Sequence, residues 1–296
     1  MYGSRRSEVK IEKCLIRQET DGVLYRLSEP FDFGFLRRYG RVFKVFDDQD
    51  SGNICFGLER DGARYFLKFA GAHTARYDGD PAKAVAALQA AAPIYRALVH
   101  ENLIRLLEAG EMGGGYGMLF EWTDAICMGQ MYPEQHKAFM ALPVGQKLQV
   151  FSDVVRFHIH AAARGYVAVD FYDGTVMYDV QNRRTVLCDI DFYRKAPTKN
   201  DMGRMWGSTR FMAPEEFERG APLDEITNVY ALGALAFALF ADCSRTREAW
   251  ELSEPLYRVA KKATCDERSA RYPSLCALLA DWENALEKKT KPKGVY

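Results

Sequence analysis

The chain has 296 residues, 48% of them hydrophobic, enough to bury a sizeable core; this excludes a mainly disordered polypeptide and fits one large domain or two lobes. Lysine plus arginine equals aspartate plus glutamate at 40 each, so no net field favours nucleic acid or an anionic membrane, and any anionic ligand must be held by local charge. The seven cysteines (Cys14, Cys55, Cys127, Cys188, Cys243, Cys265 and Cys276) are odd in number and never form a CxxC pair, which argues against a disulfide framework and a zinc site and fits a reducing cytosol. Met1 to Lys13 lacks the apolar core of a signal peptide, so a soluble cytoplasmic protein with no membrane span is expected.

Residues 1–38 mix charge with short apolar pieces and are expected to be an extension packed on the first lobe. Three short runs rich in β-branched and aromatic residues follow: Val42–Phe46, Ile54–Leu58 and Arg64–Phe69. The last two flank Asp61-Gly62, a hairpin signal, so three antiparallel strands are predicted. From Asp80-Pro81 to Val99 the composition is alanine-rich and helical, with Pro93 at a point where it bends or ends the helix. After Gly113-Gly114-Gly115, the run Tyr116–Trp122 reads as a further strand. Lys147–Arg164 is an amphipathic helix; His158 and His160 on it have no partners at metal-ligand spacing and read as structural. Ile226–Phe240 is almost wholly apolar at helix spacing, yet shorter than the roughly 20 residues of a spanning helix, so a buried core helix is expected. Residues 288–296 read as a frayed basic tail.

Several motifs along this pattern resemble the protein kinases. Gly207-Ser208 through Ala213-Pro214-Glu215 is similar to the end of their activation segment, and Asn228-Val229-Tyr230-Ala231-Leu232-Gly233 to the start of their central helix. The resemblance covers residues 42 to 286 or so and implies an α+β, two-lobed fold: an antiparallel β-rich N-lobe (39–122) and a mostly helical C-lobe (123–287). It also implies ATP as phosphate donor with Mg²⁺ or Mn²⁺, and a protein substrate or partner. Laid on the family's glycine loop, Gly52-Asn53-Ile54-Cys55-Phe56-Gly57 keeps the two outer glycines, although an ordinary Asp50-Ser51-Gly52-Asn53 turn explains the same letters. Lys68 ends Tyr-Phe-Leu-Lys where the family has its phosphate-binding lysine. Phe120 stands at the back of the implied adenine pocket, with the backbone of Glu121 and Thr123 bonding the base.

In the implied catalytic loop Asp170 takes the position of the base, orienting a hydroxyl and accepting its proton. Ala168 and Val169 replace the family's histidine and arginine, Tyr172 its lysine, and Thr175 its magnesium-binding asparagine. Two registers compete for the metal-binding aspartate, Asp189 or Asp191; at i and i+2 both point to one side of a strand and both can reach one cation. Ser208 stands where a hydroxyl touches the catalytic aspartate, Glu215 is expected to pair with Arg271, and Asn228 to accept bonds from the catalytic-loop backbone. No glutamate lies between Asp61 and His100, so the family's helix glutamate is missing and Gln89 is the nearest polar substitute. Three readings result: a Ser/Thr-type protein kinase, a pseudokinase acting as a nucleotide-binding or scaffold module, and a small-molecule phosphotransferase of the same superfamily.

Overall fold

The computed structural model describes residues 15–287; Cys14 and the predicted basic tail lie outside them. The fold is mixed α+β, with antiparallel sheets and six α-helices among the described residues, and it divides into two compact units. The first comprises residues 15–92 and 106–122, the second 93–105 and 123–287.

The first unit is built on a five-stranded antiparallel sheet, order β3-β4-β5-β7-β6, from Arg41–Phe46 (β3), Asn53–Arg60 (β4), Ala63–Ala70 (β5), Leu106–Met112 (β6) and Gly115–Glu121 (β7). The three predicted strands are the first three of these. Alternation sends Ile54, Phe56, Leu67, Phe69 and Leu119 to one face. A hairpin, Ile16–Thr20 (β1) with Val23–Leu27 (β2), and the segment after it cover that face with Tyr25, Leu27, Phe33 and Leu36. Phe33 meets Phe56 at 4.9 Å between ring centroids and Phe69 at 5.9 Å, both edge to face, the arrangement aromatic quadrupoles favour. Residues 16–39 are therefore part of this core.

Pro81–Ala97 (α1) begins where Asp80 Oδ1 accepts from the Ala82 amide. It continues through Pro93 instead of ending there. The bond that proline cannot donate would have gone to the Gln89 carbonyl, and Gln89 lies on the solvent side of the helix, where water can take its place.

The second unit centres on Glu225–Ala241 (α4), capped by Asp224, whose carboxylate accepts from the Ile226 amide at 2.8 Å. Only the first few residues of α4 and Tyr230 keep appreciable exposure. The remaining strands are short: Ile126–Cys127 (β8), Val176–Asp179 (β10) and Arg184–Leu187 (β11) form a three-stranded sheet, Tyr166–Val167 (β9) pairs with Arg194–Lys195 (β12), and Thr198–Lys199 (β13) pairs with Pro222–Leu223 (β14). After the short Pro133–Met140 (α2), Val144–Ala163 (α3) and Leu275–Glu287 (α6) flank α4 and meet at Trp282, whose ring lies tilted 4.2 Å from that of Phe151 and 6.1 Å from that of Phe240, centroid to centroid. Glu254–Ala263 (α5) comes so close that a Cβ on Gly233 would stand 2.6 Å from that of Ala263. Among the described residues no helix is long and apolar enough to cross a membrane.

Candidate active site

In the first unit, strand register brings three of the singled-out residues to one sheet face. Gly57 lies opposite Phe66, Phe66 opposite Phe120, and Lys68 opposite Cys55 and Met118. All sit on the side away from the aromatic core. Phe120 is buried and Lys68 half-buried. Packing explains the two glycines: Gly52, at φ +81°, has Ala84 2.7 Å and the Tyr77 ring 2.9 Å from where a Cβ would be, and at Gly57 a Cβ would strike Phe43 at 2.7 Å. The turn between β3 and β4 also carries Asp47, Asp48 and Asp50. Asp47 accepts from both the backbone amide and Nε of Arg26. Burial pushes its carboxyl up, and those hydrogen bonds more than reverse the effect, leaving it below the usual range. Asp48 pairs with Arg76. Gln89 is exposed on α1 and does not replace the absent glutamate.

In the second unit the two implied acidic loops are neighbours. Asp170 follows Tyr166–Val167 (β9), and its loop is fixed by Asn228: Oδ1 accepts from the Ala168 amide at 2.9 Å while Nδ2 donates to the Ala168 carbonyl at 2.8 Å. Behind it Val169 packs with Val167, Met205, Met212 and Leu223. The Cys188 amide donates to Thr175 O at 3.0 Å, continuing the β10/β11 ladder and setting the Asp189 turn beside the Asp170 loop. Asp170 (φ 61°) and Asp189 (φ 56°) both adopt left-handed backbone, which costs a non-glycine residue free energy and recurs where a side chain must be aimed. Asp191 is held differently: Tyr95, buried on the last turn of α1, donates its hydroxyl to Asp191 Oδ1 at 2.9 Å and accepts from the Ile190 amide at 3.2 Å.

The buried Tyr193 phenol stands within the field of both loops. Burial first, then the charges of Cys188, Asp170 and Asp189, raise it well above its ordinary range. Its hydroxyl donates to His158 Nε2 at 2.8 Å, while Nδ1–H donates to Val154 O at 2.7 Å. Burial lowers His158 to about 4, so it is neutral and structural, as the sequence reading has it.

Gly207 lies against Asp170, with a Cβ there 3.5 Å from Oδ1. The Ser208 hydroxyl accepts from Arg210 Nε at 3.2 Å, and the same guanidinium grips buried Asp173 in a fork, at 2.8 and 3.0 Å. Glu215 and Arg271 form the expected buried bidentate pair at 2.7 and 2.9 Å, with Arg268 adding a third contact at 2.9 Å. Glu216 is raised to about 7, chiefly by burial, and then by the charges of Glu215 and Asp170; its Oε2 accepts from the Ala213 amide at 2.7 Å. Sequence reasoning missed Tyr95, Arg210 and Glu216. Their letters carry no motif, and only their burial or partners mark them.

The donor set fits a magnesium ion held as that ion is usually held, by one or two carboxylates with water and phosphate completing the shell. Asp189 and Asp191 are both candidates, and the Asp191 carboxylate also accepts from Tyr95. Thr175 is buried and its hydroxyl donates to Tyr172 O at 2.7 Å, leaving only lone pairs for a metal. No group of three or more His, Cys, Asp or Glu side chains among the described residues forms a protein-only metal cage. Thr123 uses its hydroxyl to accept from the Ala125 amide at 3.1 Å, and Glu121 ends β7 opposite Tyr65. A scan against protein-family models finds no match, and a search among curated proteins finds no significant relative.

Proposed function

We propose that the chain is a protein-kinase-like, ATP-dependent phosphotransferase of Ser/Thr type, with Asp170 as the base that orients the acceptor hydroxyl and Asp189 as the magnesium ligand. The observation that carries this reading is the pair of neighbouring loops holding Asp170 and Asp189 in left-handed backbone, each braced from behind. Such strain persists only where surrounding structure enforces it, and here Asn228 and the β10/β11 ladder do so. Lys68 is the phosphate-binding cation of the reading, Phe120 its adenine neighbour, and Ser208 to Glu215 the segment that receives a protein substrate. Asp191 becomes a positioning residue, tied to α1 through Tyr95.

A pseudokinase is the second reading, favoured by the charge of the β3–β4 turn. Three aspartates at a phosphate-binding position repel a triphosphate, and Arg26 and Arg76 are already engaged by Asp47 and Asp48. Thermal shift with ATP plus Mg²⁺ or Mn²⁺ separates the two. The enzyme reading expects a metal-dependent rise in Tm with ATP, lost in Asp189→Asn and kept in Asp191→Asn. No shift with any nucleotide and metal would support the scaffold instead.

A further inference from the structure

A pocket of about 470 Å³ lies wholly within the second unit, and none of its lining residues belongs to the acidic loops. Its lining comes from four places: Thr209 and Arg210 in the segment before Ala213, Tyr230 on α4, Cys243 and Arg245 after α4, and Lys261 with Asp266 at the end of α5. Three cations therefore face one carboxylate. Arg210 is neutralised by Asp173 behind it. Arg245 and Lys261 have no ion pair with any described residue. Arg245 is nonetheless fixed: its guanidinium lies 5.4 Å from the Tyr230 ring centroid and 5.1 Å from that of Phe237, and one NH₂ donates to Arg210 O at 3.2 Å. The Tyr257 hydroxyl holds the Arg245 carbonyl at 3.0 Å. A guanidinium stacked and tethered in this way loses little freedom when its remaining N–H groups take a ligand.

We infer that this pocket binds a phosphomonoester dianion, with Arg245 and Lys261 as its charge partners and the Tyr230 and Thr209 hydroxyls as further donors. Those two hydroxyls make no hydrogen bond with a described residue. Donors from four separate elements suit the three terminal oxygens and near-double charge of a phosphate better than the two coplanar oxygens of a carboxylate. The volume exceeds what a bare phosphate fills and falls in the range of ligand sites, so the ester carries a body as well. A phosphoserine side chain of a partner protein is the source that best matches an open pocket bordered by loops. The inference does not depend on the phosphotransferase reading.

The test is titration of the full chain, by calorimetry and by amide NMR, with a short phosphoserine peptide, its unphosphorylated form, its Glu analogue and inorganic phosphate. The phosphopeptide is expected to bind saturably, more tightly than the other three, and to shift amides at 209–210, 243–245 and 261–266. Loss of one charge-assisted contact in Arg245→Gln or Lys261→Glu should weaken it about tenfold or more. Lys262→Glu, whose ammonium packs on Tyr272 outside the pocket, should leave binding unchanged. Inorganic phosphate as tight as the peptide, with the same variant pattern, would overturn the ester assignment and make free phosphate the ligand. Equal binding of the Glu analogue, equal binding in Lys261→Glu, or no saturable binding to wild type would overturn it.

Discussion

Asn228 shows how one side chain sets a loop. Its amide both accepts from and donates to Ala168, a double bond pattern that a carboxylate cannot complete, because it has no hydrogen to give the Ala168 carbonyl. Asn228→Asp, which restores the residue type of the family resembled, is therefore expected to destabilise the chain by about 1–3 kcal/mol, measured as a fall in denaturant midpoint. An unchanged midpoint would mean that the clamp contributes nothing. Tyr95 is the matching case on the other loop. Tyr95→Phe removes the donor to Asp191 and the acceptor for the Ile190 amide, and is expected to cost a similar amount while keeping the ring in its buried place. The acidic positions Asp170, Asp189 and Asp191 were legible as letters in a recognisable order. What separates Asp189 from Asp191 was not legible: the left-handed φ of one and the tyrosine partner of the other depend on how β10, β11 and α1 pack.

At the scale of elements, α4 is the clearest case of sequence dictating structure. An almost wholly apolar run of 15 residues, Ile226–Phe240, with Asp224 before it and Thr227 in its first turn as a capping pair, leaves few alternatives to a buried helix. Its close approach to α5 is carried by Gly233, and Gly233→Ala is expected to cost about 1–3 kcal/mol, since the new methyl would meet Ala263 at 2.6 Å and Thr264 at 2.8 Å. A neutral result would show that α5 can shift freely. The Glu215–Arg271 pair was also readable, but only through the resemblance of two short motifs far apart in the chain to those of the protein kinases; the structure adds that both side chains are buried. Arg271→Met leaves that carboxylate buried with only Arg268 beside it, and a loss of roughly 3–5 kcal/mol is expected in a denaturation midpoint. The path of α1 was less legible. Pro93 reads locally as a stop, and the helix continues because its lost hydrogen bond falls on a solvent-facing carbonyl.

For the whole molecule, two buried titrating groups give opposed pH dependences. His158, held near 4 in the folded chain against its ordinary 6.5, contributes stability that is lost as pH falls from 6.5 towards 4, because the unfolded state takes up the proton first. Glu216, raised to about 7 from 4.5, does the reverse: the folded state keeps its proton longer, so stability falls as pH rises from 4.5 towards 7. Each amounts to something on the order of 3 kcal/mol across its window. Glu216→Gln keeps the acceptor for the Ala213 amide and removes only the second slope, so its stability relative to wild type should rise between pH 5 and pH 8. A wild-type and variant difference that stays constant with pH would refute the assignment. None of this was visible in the letters, which report charge but not burial. The proposed roles of Asp170 and Asp189 in phosphate transfer are tested most directly by γ-phosphate transfer from labelled ATP in Mg²⁺ or Mn²⁺. Transfer by the wild-type chain that disappears in folded Asp170→Asn and Asp189→Asn is the predicted result; no transfer by wild type, or equal transfer by the variants, would contradict it.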